Sequence, residues 1–382
     1  MYDRPTIVSL VGNFLEPEML HVFRQVRNVE VFENWVVTRR RQNPDRFPYD
    51  RVHQLRRCKS RLIDRIATRL GGAQKQVHPL EARQLAAFVE NRDASLVHIY
   101  FGTVAARWIR YLRTETRPRI VSFHGVDVSS NLRDSALRKI DEHTDLLLCR
   151  SQTLADALVE RGIAAEKIRL NRTGIPVPDP PKPSCECDPD SPLRVLQACR
   201  FIEKKGLDVT IEAIAGLRQE NFDVRLTLAG DGPKLNALLT QVGELGLQDA
   251  ISFPGFLNEA ELSALMWQHD VFVHPSRITE SGDREGVPNA ILEAMAHNMP
   301  VIATRHSGIP EAVIHGESGL LIEKSSAPRL SEQLKTLAKD RELRLRFGKA
   351  GRAHVVREFS LDANRRNLEA SYNEAIAMKT RA

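Results

Sequence analysis

The chain has 382 residues, 42% hydrophobic and 27% charged, the balance of an ordinary globular protein at a length that one core rarely serves, so two domains are expected. No basic-then-apolar leader opens it, and no apolar run nears the roughly 18 residues of a membrane span. The expectation is therefore a cytoplasmic protein, with peripheral attachment to the inner face of a membrane left open. The net charge of +6 is uneven, with 30 Lys and Arg against 20 Asp and Glu in residues 1–175 and 25 against 29 in the remainder.

In the first half, β-rich runs at Thr6–Val11, Trp35–Thr38, Leu96–Phe101, Arg119–Phe123 and Asp145–Cys149 alternate with helical segments. That alternation predicts a parallel sheet covered by helices. The basic excess concentrates in the segment 39–69, where Arg39, Arg40, Arg41, Arg46, Arg51, Arg56, Arg57, Lys59, Arg61, Arg65 and Arg69 interleave with Val52, Leu55, Leu62, Ile63, Ile66 and Leu70 at near-helical spacing. A basic amphipathic helix suits an anionic membrane surface or an anionic acceptor, and a solvated helix face is the alternative. The cluster lacks the interleaved aromatics of a nucleic-acid surface, so no nucleic-acid partner is expected.

The Pro-dense stretch 176–192 sustains neither a helix nor a central strand and reads as an interdomain linker. The five cysteines, Cys58, Cys149, Cys185, Cys187 and Cys199, form neither a disulfide ladder nor a zinc spacing, which suits reduced thiols. Beyond the linker, strands are expected at Leu193–Cys199, Val224–Ala229, Ile251–Phe253, Val271–His274, Pro300–Thr304 and Leu320–Ile322, making a second doubly wound domain. The division is thus 1–175, linker 176–192, 193–355, and a helical segment 356–382 whose return to the first domain is left open. No solenoid repeat is present.

Loops after the second set of strands carry the chemistry. Arg200 and Lys205 follow the first of them, a planar fork and a point charge suited to a diphosphate. Gly230-Asp231-Gly232-Pro233 and Gly255-Phe256-Leu257 follow the next two. Pro275-Ser276 follows the fourth, and Ser307-Gly308 the fifth. Glu285 and Glu293 bracket Gly286-Val287-Pro288-Asn289-Ala290, a turn feeding a helix whose unpaired amides favour phosphate or polyhydroxylated ligands. On a parallel sheet these loops share one rim, which predicts a ligand site there.

Taken in order, Arg200…Glu203-Lys204-Lys205-Gly206, Ala229-Gly-Asp-Gly-Pro233, the Gly255-Phe-Leu257 turn, Pro275-Ser276 and Glu285-Gly-Val-Pro-Asn-Ala-Ile-Leu-Glu293 resemble glycosyltransferase family 4. This is a family of retaining, sugar-nucleotide-dependent enzymes of GT-B fold, in which two Rossmann-like doubly wound domains face each other across a cleft. The resemblance runs from about Leu193 to Glu323. It implies that Glu285 meets the donor sugar hydroxyls, the backbone of Gly286 to Asn289 cradles sugar and phosphate, and Glu293 holds the ribose. Arg200 and Lys205 would neutralise the diphosphate, and Gly255, Phe256 and Leu257 would lie against the base.

In the first half, Ser122-Phe-His124-Gly-Val-Asp127 is similar to the family's strand-end His-Gly-x-Asp, whose histidine faces the donor sugar near the reacting carbon. His98 and Asp127 are candidates for the acceptor side. The first loop, Val11-Gly-Asn-Phe-Leu-Glu-Pro-Glu18, departs from the family in having a single Gly and offers Glu18 as an acceptor contact. Asp188-Pro-Asp190 spells the D-x-D of metal-dependent glycosyltransferases but lies in the linker, so no metal site is expected.

The expected reaction moves a hexose-type sugar from a nucleoside diphosphate to a saccharide or lipid-linked acceptor, with retention, without metal and without any cofactor beyond the donor. The setting implied is cell-surface polysaccharide or glycolipid synthesis. By resemblance the acceptor attacks on the face that the leaving group departs from. The alternatives are a sugar-nucleotide 2-epimerase of the same architecture and a non-catalytic membrane scaffold.

Overall fold

The computed structural model describes residues 4–16, 19–57, 76–125, 127, 132–179, 191–280 and 285–380. It divides the chain into two units, Met1–Gly174 with Leu361–Ala382, and Ile175–Ser360. The boundaries fall at Gly174–Ile175 and Ser360–Leu361, and most of the expected linker, from 180 to 190, lies outside the described residues.

The first unit is built on β1 (Thr6–Phe14), β2 (Glu33–Arg41), β3 (Val52–Gln54), β4 (Ala94–Tyr100), β5 (Arg119–Phe123), β6 (Leu146–Cys149) and β7 (Ile168–Leu170). Their order is β3-β2-β1-β4-β5-β6-β7, with every neighbouring pair parallel. Strands of a parallel sheet are buried on both faces and read as continuous apolar runs, as Leu146–Cys149 does. Period-two alternation then sorts the residues. Val8, Leu10, Val97, Ile99 and Val121 pack under the helix Pro79–Asn91 and its neighbours. Ile7, Leu96, Ile120 and Leu146 are covered by Leu368, Tyr372 and Ala375 of the helix Leu361–Thr380. The last helix therefore belongs to the first unit, fixed by Asn364 Nδ2 donating to Asn171 Oδ1 (2.8 Å) and by Glu369 Oε1 accepting the Glu30 and Val31 amides.

The second unit holds β8 (Leu193–Ala198), β9 (Val224–Ala229), β10 (Ile251–Gly255), β11 (Val271–His274), β12 (Val301–Thr304) and β13 (Gly319–Ile322), ordered β10-β9-β8-β11-β12-β13 and again parallel throughout. One face buries Val195, Leu226, Val273 and Ile302 beneath the helices Leu207–Gln219 and Ala327–Lys339. The other buries Leu196, Phe272, Val301 and Ala303 beneath Asn289–Ala296. In each unit the chain winds outward one way from its first strand and then the other. The strand order therefore reverses between β1 and β4 and between β8 and β11, where open α/β sheets place ligands at the carboxyl ends.

Two strands escape the sequence reading. Both β3 and β7 are three-residue edge strands, too short for a periodic signal. Val52, expected on a basic helix, lies in β3, and Leu55 just beyond it is buried in the core. Arg39 to Arg41 of the expected 39–69 segment end β2, no helix forms between 42 and 57, and 58–69 lies outside the described residues.

Candidate functional site

At the reversal point of the second unit, three side chains meet. Lys205 ends the 3-10 turn Glu203–Lys205 after β8, His274 ends β11, and Glu285 opens the loop to the next helix. Lys205 Nζ lies 2.6 Å from Glu285 Oε1 in a close ion pair whose side chains are 14% and 8% exposed. His274 is fully buried, with Nε2 3.7 Å from the same carboxylate oxygen and no hydrogen bond at either ring nitrogen among the described residues. Burial alone would raise the Glu285 pKa. The His274 imidazole and the Lys205 ammonium outweigh it and hold the carboxyl at about 2. Burial pushes the His274 pKa down, leaving the ring neutral near pH 7.

The backbone around this cluster is locked. Gln197 Nε2 donates to the Lys205 carbonyl (2.8 Å) and its Oε1 accepts from Thr210 Oγ1 (2.7 Å). Gly206 sits at φ +65°, and a Cβ there would lie 2.1 Å from the Pro275 carbonyl oxygen, so only glycine lets the turn close on the β11 loop. Gly308 does the same for the other wall, since its Cβ would meet Gly286 backbone at 2.9 Å.

The helix Asn289–Ala296 starts just beyond Glu285, with Pro288 at its cap position and no side chain capping it. The Ile291 amide donates to the Pro288 carbonyl (3.1 Å), which leaves the Asn289 and Ala290 amides, unpaired among the described residues, for a ligand. Only Glu293 of the two glutamates lies on this helix, so the helical rise does not by itself set their separation. Gly286 and Asn289 are exposed, Val287, Ala290 and Glu293 are half-buried, and Pro288 is buried. Arg200 is exposed, and its guanidinium has no partner among the described residues. Gly255 (φ +79°) ends β10, and Phe256, 82% exposed, stands beyond it with Leu257 half-buried.

In the first unit, His124 follows β5 directly. It is buried, stacks on Phe101 with ring centroids 4.1 Å apart, and its Nδ1 is 3.2 Å from His21 Nε2. Its Nε2 is buried without a partner among the described residues. Burial first, then His21 and Arg150, push its pKa well below the ordinary histidine value, so the ring is neutral.

Two acceptor-side expectations need correction. His98 is fully buried, with Nδ1 2.8 Å from the Tyr372 hydroxyl and Nε2 2.6 Å from Ser122 Oγ. Nδ1 ties the last helix to the sheet and Nε2 ties β4 to β5, so neither is left for an acceptor. Asp127 is equally buried, and its two oxygens accept the His124 and Thr103 amides at 2.9 Å each. It holds the loop that carries His124 and does not face a substrate. Glu18 and the D-x-D of 188–190 lie outside the described residues.

Residues 188–354 match the family described as glycosyl transferases group 1, and residues 28–177 match glycosyltransferase family 4. The amylovoran biosynthesis glycosyltransferase AmsK of Erwinia amylovora is 32% identical over 299 residues, covering 75% of this chain and 68% of that one. The chain belongs to glycosyltransferase family 4. WcaL of Escherichia coli, named for colanic acid biosynthesis, is 34% identical to this family 4 chain over 63% of its length, and the match spans 60% of WcaL. The fold is GT-B. HepE of Anabaena, solved in complex with UDP, superposes with a TM-score of 0.75 over 97% of this chain and 100% of HepE at 16% identity. A glycosyltransferase from Rickettsia africae gives the same score over 98% and 99% at 17% identity.

Sequence reasoning missed His274, His21 and Phe101. His274 had a signal in its place as the last residue of a strand before Pro-Ser. For His21 and Phe101 the sequence holds none, because their relation to His124 exists only in the folded sheet.

Proposed function

We propose that this family 4 chain transfers a sugar from a nucleoside-diphosphate sugar to an acceptor hydroxyl, with retention at the anomeric carbon and without a metal, in the synthesis of a cell-surface polysaccharide or glycolipid. The observation that carries the reading is the Lys205–Glu285–His274 cluster at the reversal point of the second sheet, beside an uncapped helix start. Breaking the anomeric bond places negative charge on the departing diphosphate. Lys205 and the Asn289 and Ala290 amides are preplaced positive groups for that charge, the exposed Arg200 adds a further cation, and such preorganised electrostatics is commonly the largest catalytic term.

Glu285, held ionised, accepts hydrogen bonds from sugar hydroxyls and keeps the Lys205 ammonium oriented. Glu293 takes the ribose hydroxyls, and Gly255 to Leu257 offer an apolar edge to the base. Neutral His124 presents an unpaired ring nitrogen to a hydroxyl of sugar or acceptor. As the family resemblance implies, the acceptor attacks on the leaving-group face and the diphosphate oxygen takes its proton. AmsK and WcaL, named for exopolysaccharide synthesis, favour a saccharide acceptor.

A panel of uridine, guanosine and adenosine sugar nucleotides, read by thermal shift, tests the donor. Ligand at about 100 times its dissociation constant stabilises by roughly 2.7 kcal/mol, and silence from the whole panel refutes the reading. Product anomericity by NMR tests retention, and activity surviving chelation tests metal independence.

A further inference from the structure

A pocket in the first unit, about 230 Å3 in volume, opens at the carboxyl ends of β1, β2 and β4 and is lined by Asn13, Glu16, Arg39, Phe101 and Arg107 among others. It is smaller than the roughly 300–1,000 Å3 of sites that enclose a whole drug-sized ligand, so it takes one part of a larger molecule. Its two guanidiniums differ. Arg39 is committed to Glu81, a fully buried carboxylate, by Nε at 2.8 Å and Nη2 at 3.3 Å. Arg107 is half-buried, and its guanidinium makes no hydrogen bond or ion pair among the described residues. Burial, then repulsion from Arg39, lowers its pKa, which Glu81 only partly offsets. A half-buried guanidinium fork without a carboxylate is a ready partner for a carboxylate or phosphate group.

The pocket adjoins the candidate catalytic histidine. Phe101 forms its wall and stacks on His124, and it does so from a backbone at φ +75°, which a bulky residue rarely adopts. Met19, also in the lining, precedes by two residues the His21 that meets His124. The exposed rim adds groups for hydroxyls, because Asn13 Nδ2 donates to Glu16 Oε1 at 3.0 Å and both keep further capacity.

We propose that this pocket seats an anionic substituent of the acceptor, so that the acceptor is a saccharide bearing a carboxylate or a phosphate, with Arg107 as the oxyanion contact and Asn13 and Glu16 meeting adjacent hydroxyls. The proposal rests on the glycosyl-transfer reading and adds the acceptor's charge to it.

Inorganic phosphate and glucuronate, titrated into the full chain by calorimetry, separate the two sources of the anion. The native chain binds at least one of them. Arg107→Gln weakens that binding at least roughly tenfold, as loss of one charged hydrogen bond does. Arg107→Lys, which keeps the charge but not the fork, falls between the two. Asn13→Asp, at the exposed rim, weakens the same anion by repulsion and serves where Arg107→Gln lowers the melting temperature. Neither anion binding, or binding equal in the native chain and these variants, overturns the assignment. Stabilisation by a sugar nucleotide, measured on the same samples, keeps the two readings apart. If the donor binds and the anions do not, the pocket assignment alone falls; if neither binds, glycosyl transfer falls with it.

Discussion

The two sheets share one winding order, yet their carboxyl ends are equipped in opposite ways. The second unit keeps permanent charge there, with Lys205 against a strongly acidic Glu285. The first sets a neutral imidazole after β5, with His124 buried against His21 and Phe101, and carries its charge elsewhere on the rim, in Arg39 and Arg107. A common topology thus supplies only the place, and the loops decide whether that place grips a charge or guides an uncharged group.

The largest test of that contrast is charge removal. Lys205→Ala should lower kcat/KM about 100- to 1,000-fold, the range seen when one preplaced donor is lost. His124→Ala should cost about 100-fold, mainly in kcat, as expected of a positioning loss. Equal dependence of both variants on ionic strength would blur the distinction drawn here.

Backbone closure comes next. Gly206→Ala puts a Cβ into the Pro275 carbonyl and should cost at least ~1–3 kcal/mol of stability in urea unfolding. Gly246→Ala, also at positive φ but with nothing near its Cβ, should cost less.

The pH dependence separates the units further. Burial holds His98 down to about 3, against 6.5 unfolded. The unfolded chain therefore takes up protons first, and stability should fall as pH drops below 6.5 towards 3. Glu285 has a depressed pKa, so its contribution is full above 4.5 and lost as pH falls through about 2, on the order of 3 kcal/mol. Unfolding curves should show Glu285→Gln flattening the lower window.

The smallest effect is expected at His98. Replacing it by Gln, which retains hydrogen-bonding capacity, should cost about 1–3 kcal/mol and leave kcat per folded molecule unchanged. A collapse of kcat with stability intact would return His98 to the active site.

All six strands of the second sheet were legible because each is a short apolar run followed by Gly, Pro or charge, and the donor-side motifs inherit their positions from those strand ends. The edge strands Val52–Gln54 and Ile168–Leu170 were not, since three residues, none of them buried, carry no period. His98 and His124 looked alike in sequence, each in or after a strand near a glycine. What parts them is distance along the chain. Tyr372, 274 residues away, satisfies His98, whereas the imidazole of His124 keeps one nitrogen unpaired among the described residues. Arg107 was illegible for the same reason, because its solitude follows from Arg39 being occupied by Glu81.

The helix Leu361–Thr380 also has a bearing on biogenesis. Ile7, Leu96 and Ile120 stay uncovered until Leu368 and Tyr372 have been made, so a chain emerging from the ribosome completes its middle before its beginning. During that interval the earliest-made strands expose apolar surface to chaperones and to each other, and trimming the last twenty or so residues would prolong the exposure indefinitely.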